Sequence, residues 1–104
     1  MTRGTTPTYT IKFQVTVDFE DVEVFYLTLK QSEKRMVTKK IPVDDPAVNK
    51  EERTVEWTLT QMDTLKFKEG EAELQVRGKF TDNTAFATKV MRVPVNRVLD
   101  DEVI

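Results

Sequence analysis

From Thr8 to Phe19 the chain alternates. Tyr9, Ile11, Phe13, Val15, Val17 and Phe19 hold one parity, and Thr8, Thr10, Lys12, Gln14, Thr16 and Asp18 hold the other. A period of two puts one face in a core and one in water, as in an antiparallel strand. The run exceeds the usual ~5–6 residues. It is therefore expected to bend or change sheets midway, with Asp18 to Asp21 as a turn. Val22 to Gln31 reads as a second strand. Phe25, Leu27 and Leu29 line one face, and Val22, Val24 and Tyr26 line the other. Apolar character on both faces marks a central strand, or one whose outer face meets something else.

Ser32-Glu33-Lys34 has the look of a hairpin loop, with Arg35 to Ile41 returning. Lys39, Lys40 and Pro42 place that return at a sheet edge, where lysine and proline discourage pairing with other chains. Pro42 to Arg53 holds two prolines, Asp44-Asp45 and the run Lys50-Glu51-Glu52-Arg53. It reads as a long loop. Thr54 to Leu59 resumes strand character with Val55, Trp57 and Leu59 inward. Thr60-Gln61-Met62-Asp63 then fits a capping box, in which the threonine hydroxyl and the aspartate each bond the other's backbone N–H. One helical turn is predicted there, a corner between sheets, with Leu65 and Phe67 returning to the core.

Ala72, Leu74, Val76, Gly78 and Phe80 alternate with Glu73, Gln75, Arg77 and Lys79, giving another amphipathic strand. Thr81-Asp82-Asn83-Thr84 supplies the residues of a tight hairpin. In the return from Ala85 to Val95 the parity slips at Thr88-Lys89, which predicts a bulge. Strands punctuated by turns, with almost no helix, imply two packed antiparallel sheets. The expected fold is an all-β, immunoglobulin-like sandwich of about seven strands, with a small barrel as the alternative. The bulky core candidates are Phe13, Phe25, Leu27, Trp57, Leu74, Val76 and Phe86. A length of 104 residues suits one domain spanning 1–104, with a flexible arm at 1–7 and a tail at 96–104.

Composition narrows the chemistry. The chain has neither cysteine nor histidine, and Ser32 is its only serine. Disulfides, zinc–thiolate sites and Ser-His triads cannot be built from it alone. Lys and Arg total 16 against 18 Asp and Glu, a net charge of −2. That balance gives no global pull toward nucleic acid or anionic lipid. Gly4-Thr5-Thr6-Pro7-Thr8 stands where a signal peptide would carry its apolar region, so export by signal peptide is not expected. No run approaches the ~20 apolar residues of a membrane span.

Three groups of side chains remain as candidates. Asp44-Asp45 and Asp100-Asp101-Glu102 lack the spacing of a calcium loop and read first as solvated charge. Tyr9, Tyr26 and Trp57 could stack on sugars or bases, flanked by Lys12, Lys30 or Arg77, but read first as packing residues. Val22, Val24 and Tyr26 form an apolar outer face that could meet another subunit, or be covered by the long loop or an arm. The tail residues Leu99, Asp100, Asp101 and Glu102 complete the interaction candidates. No catalytic, cofactor-binding or metal-binding residue is assigned.

Arg3-Gly4-Thr5-Thr6-Pro7-Thr8-Tyr9-Thr10, then Leu59-Thr60-Gln61-Met62-Asp63-Thr64-Leu65-Lys66-Phe67, and finally Met91-Arg92-Val93 with Val98-Leu99-Asp100-Asp101-Glu102-Val103-Ile104 together resemble small proteins encoded in phages and prophages of Gram-positive gut bacteria. Some of these are similar to the immunoglobulin-like N-terminal region of baseplate upper proteins. The resemblance spans the chain, although Asp44 to Arg53 has no counterpart in it. It implies a non-enzymatic tail or baseplate part, found in the bacterial cytoplasm during assembly and then in the virion. Its partners would be other phage structural proteins or itself. Nucleic acid, membrane and small-molecule substrates are not expected, and no cofactor is. A carbohydrate- or host-surface-binding module is the alternative.

Overall fold

The alternation beginning at Thr8 becomes hydrogen-bonded strand only as far as Lys12. In the computed structural model, which describes residues 1–14 and 16–104, β1 is Thr8–Lys12. Phe13 is buried after it, and the chain then leaves that sheet. Val15, expected on the buried stripe, lies outside the described residues. Phe19–Asp21 form a 3₁₀ turn capped by Asp18, whose carboxylate accepts the Glu20 N–H at 3.0 Å. Phe19 still reaches the core. The period-two pattern thus runs through a stretch that crosses from one sheet to the other.

The remaining elements follow in order: β2 Val22–Ser32, β3 Arg35–Pro42, β4 Val48–Asn49, β5 Thr54–Thr58, the helical turn α1 Gln61–Leu65, β6 Gly70–Phe80, β7 Ala85–Ala87 and β8 Met91–Val95. Among the described residues they make two antiparallel sheets. One has the order β1-β5-β4. The other has the order β3-β2-β6, with β7 and β8 sharing the far side of β6. Both sheets end in open edges, so the architecture is a sandwich and not a closed barrel. In immunoglobulin lettering the order corresponds to B-E-D against C′-C-F-G. Among the described residues no helix is long and apolar enough to cross a membrane.

The two sheets bury the inward parities. Phe25, Leu27 and Leu29 of β2 meet Val55, Trp57 and Leu59 from the other sheet's side of the core, with Ala72, Leu74 and Val76 of β6 beside them. One end of the core is aromatic. The rings of Phe13, Phe19, Phe25, Phe80 and Phe86 contact one another with centroids 5.0–6.3 Å apart, several edge-to-face. Gly78 makes this possible. It lies opposite Phe86 in the β6–β7 ladder, and the ring covers it so closely that a Cβ would sit 2.2 Å from Cζ. A glycine in a strand often marks such a close approach.

The capping box forms as predicted. Asp63 N–H donates to Thr60 Oγ1 at 3.1 Å, and Thr60 N–H donates to Asp63 Oδ2 at 3.0 Å. Thr64 is fully buried, and its hydroxyl donates to Thr5 O at 2.9 Å. The corner therefore ties the first residues to the body, and Phe67 drops into the core behind it. The long loop from Pro42 is partly ordered by β4, which pairs with β5. Val43, Ala47 and Val48 pack against the core. The predicted slip at Thr88-Lys89 is a break that separates β7 from β8. Thr88 bridges it, giving its N–H to Val76 O at 2.9 Å and accepting the Val76 N–H on Oγ1 at 3.1 Å. Near the chain start, Thr2 bridges Asn96 in parallel just beyond β8, and the Met1 ammonium donates to Pro94 O at 2.7 Å.

Candidate functional site

The outer face of the larger sheet is the surface with the most distinctive chemistry. Its centre is β2, where Val24, Tyr26, Thr28 and Lys30 point away from the core. On one side β3 sets Pro42, Lys40, Thr38 and Met36 opposite them, and on the other β6 sets Lys79, Arg77, Gln75 and Glu73. Tyr26 therefore stands between two cations. Lys40 Nζ is 5.9 Å from the ring centroid, and the Arg77 guanidinium carbon is 5.8 Å from it. Each such contact contributes ~0.5–1 kcal/mol at an exposed site.

The charges around this centre differ in how they are held. Lys79 pairs with Glu23 at 3.2 Å, and Arg92 with Glu71 at 3.6 Å. Lys30 pairs with Glu33 at 2.6 Å, and that contact holds the Glu33 carboxyl below its ordinary pKa. Among the described residues, Lys40 and Arg77 have no carboxylate partner, and both side chains are exposed. Shallow depressions of about 460 and 250 Å³ flank Tyr26, one reaching Ala85 and Ala87, the other Val24 and Pro42. The hollow toward Ala85 and Ala87 is mainly apolar, whereas the one toward Pro42 also takes in Glu23 and Lys79.

The sequence candidates separate in space. Val24 and Tyr26 share this face. Val22 does not. The ladder to β6 shifts between Val22 and Val24, so that Val22 faces Phe80 and turns into the core, where it is 1% exposed. An irregularity at Glu23 thus breaks the parity that grouped the three residues. The long loop leaves the outer face uncovered, because it packs toward the core. Leu99, Asp100, Asp101 and Glu102 are exposed and lie elsewhere. The last residue of β8, Val95, pairs with Gly70, seven residues along β6 from Arg77, or about 23 Å at the rise of a strand. The tail then leads to α1, where the Gln61 amide donates to Ile104 O at 2.8 Å and accepts the Ile104 N–H at 2.7 Å.

Two other groups resolve into structural roles. Of the stacking candidates, Trp57 is in the core at 3% exposure, and Tyr9 is half-buried, which pushes its phenol pKa up. The acidic residues serve turns. Asp45 accepts the Ala47 N–H at 2.9 Å, and Asp100 accepts the Glu102 N–H at 3.0 Å. Asp82 accepts both the N–H and the hydroxyl of Thr84, at 2.9 and 2.6 Å, and these bonds lower its pKa. Among the described residues, no three of His, Cys, Asp and Glu come together in an arrangement that could hold a metal ion.

Arg77 is among the flanking cations that the sequence suggests for the aromatic candidates, whereas Lys40 is not, and neither is placed beside Tyr26 in particular. Their signal is the cross-strand register, which a single strand's periodicity does not contain. No family model matches this chain, and no curated protein or solved structure is significantly similar to it.

Proposed function

We propose that this protein is a non-enzymatic assembly part that works through protein–protein contacts, with the outer face around Tyr26 as its principal docking surface. The observation that carries the proposal is the Lys40–Tyr26–Arg77 stripe, a half-buried aromatic between two cations that have no carboxylate partner among the described residues. Aromatic and arginine side chains at the centre of an interface contribute disproportionately to binding, and complementary charge adds specificity and speed of association. The partner surface that fits is acidic, with a small apolar contact for Pro42, since Val24 beside it is only 5% exposed. The resemblance to phage and prophage proteins supplies the setting, a tail or baseplate reached from the bacterial cytoplasm during assembly.

The glycan-binding alternative is less well supported. Sugar stacking needs an open aromatic face. Trp57 is buried, and Lys40 and Arg77 stand over the Tyr26 ring.

Phage particles released by inducing a lysogen that encodes the chain provide the test. Mass spectrometry of purified particles should find the chain at a fixed ratio to known tail proteins. Recovery solely from the soluble cell fraction, with none in particles, overturns the proposal.

A further inference from the structure

Among the described residues the smaller sheet stops at β1, since its order of β1-β5-β4 places no strand beyond it. Every second residue of such an edge turns its N–H and C=O away from the paired strand, offering a template for another one. In immunoglobulin lettering this is the position of strand A. Beside that edge, a groove of about 430 Å³ opens between β1 and the β7–β8 side of the other sheet. Ile11, Phe13, Phe86 and Met91 supply its apolar lining, and Lys12 and Lys89 stand exposed along it. Among the described residues no carboxylate lines it.

The tail has the complementary chemistry. Leu99 is 94% exposed and Val103 53%, with Asp100, Asp101 and Glu102 between them. Beyond the Thr2–Asn96 bridge, the eight residues from Arg97 to Ile104 extend to about 26 Å. That exceeds the ~17 Å of the five-residue β1. As a strand, the tail would put Leu99, Asp101 and Val103 on one face and Asp100 and Glu102 on the other.

We infer that the tail of one copy of this chain docks along β1 of a second copy as an added strand. Leu99 and Val103 enter the groove, and Asp101 faces the Lys89 rim. Asp100 and Glu102 lie on the solvent side that β1 shows through Thr8, Thr10 and Lys12. Main-chain bonds along the edge give affinity, and the acid–lysine match gives register. In the donor copy, the Gln61 clasp on Ile104 opens. At the Tyr26 face β2 and β6 are paired on both sides, and the open edge there is β3, whose Lys39, Lys40 and Pro42 discourage an added strand. This inference rests on reading the chain as an assembly part, and it is independent of the Tyr26 face.

The test is sedimentation velocity on the full chain over a concentration series, at low and high salt. Association that weakens with salt is expected. The tail variant Asp100→Lys/Asp101→Lys/Glu102→Lys and the groove variant Lys12→Glu/Lys89→Glu should each weaken self-association by roughly tenfold or more. Mixing the two variants should restore association, because opposite charges then meet again. All the substituted side chains are exposed, so thermal unfolding should remain cooperative and certify the fold. A monomer at every concentration overturns the inference, as does association insensitive to both reversals. Association abolished by Arg77→Glu and untouched by the groove variant also overturns it. A strict monomer that is nonetheless present in purified particles rejects the tail docking and leaves the proposed function standing, whereas an associating chain absent from particles does the reverse.

Discussion

Replacing Gly78 by alanine should damage the core through one specific contact. The new Cβ would lie 2.2 Å from Phe86 Cζ and 2.3 Å from Cε1, far inside van der Waals separation. The Phe86 ring must move, and its neighbours limit where it can go. Phe80 lies 5.0 Å from it centroid to centroid, Phe13 5.8 Å and Phe25 6.3 Å. Forcing extra volume into such a site costs about 1–3 kcal/mol. The loss of conformational freedom in the unfolded chain offsets ~0.4–1 kcal/mol of this. The backbone at Gly78 is not in the left-handed region, so alanine adds no strain of its own there. A net loss of about 1–2 kcal/mol remains, which for a domain of this size lowers Tm by roughly 5–15 °C. Urea unfolding followed through the fluorescence of buried Trp57 is a suitable assay. A double-mutant cycle isolates the contact. In a Phe86→Ala background, Gly78→Ala should be neutral or stabilising, giving a coupling of ~1 kcal/mol or more. Equal effects in both backgrounds, or no loss in the native one, would refute the steric argument.

Trp57→Ala removes the largest side chain of β5 from the core and should cost about 3–5 kcal/mol; an unchanged denaturation midpoint would contradict that placement. Thr60→Ala breaks the capping box and should cost ~1 kcal/mol, whereas Thr60→Ser should retain most of the stability in the same unfolding assay. The Thr84 bonds lower the Asp82 pKa in the folded state. Their contribution is present above the ordinary aspartate pKa and is lost as pH falls through the lower folded-state value, so Asp82→Asn should flatten that acid limb of a stability–pH profile. Lys30 does the same for Glu33, and Glu33→Gln should act in the same direction.

What could be read from the sequence was mostly local. The Thr60–Asp63 box, the Thr81–Thr84 hairpin and the edge position of β3 each depend on a few neighbouring residues whose backbone preferences agree with the fold. The inward sets of β2, β5 and β6 followed from strict alternation. The failures arise where a one-residue irregularity changes parity. Glu23 rotates Val22 into the core, and no side chain in the sequence announces that shift. A second irregularity lies between Lys30 and Ser32. Carrying the Ser32–Arg35 register inward without it would set Tyr26 opposite Ile41, on the wrong face. With it, Tyr26 meets Lys40, and the cation stripe exists only because of that slip. The run from Thr8 to Phe19, too long for one strand, leaves its sheet after Lys12 as its length implies, but the alternation does not mark where. Alternation records which side chains are buried, and the 3₁₀ turn at Phe19 buries its aromatic ring as well as a strand would.

Docking through the face around Tyr26, as proposed, makes that side chain decisive for entry into particles. Its most direct test is competition in assembly. Wild-type chain and Tyr26→Asp are co-expressed during induction, and the peptides that carry residue 26, which differ in mass, are counted in purified particles. Tyr26 lies outside the core cluster, so the variant should fold, and its melting curve verifies that. Wild-type chain is expected in the particles, with the folded variant left behind in the soluble fraction. Equal incorporation of both would contradict it.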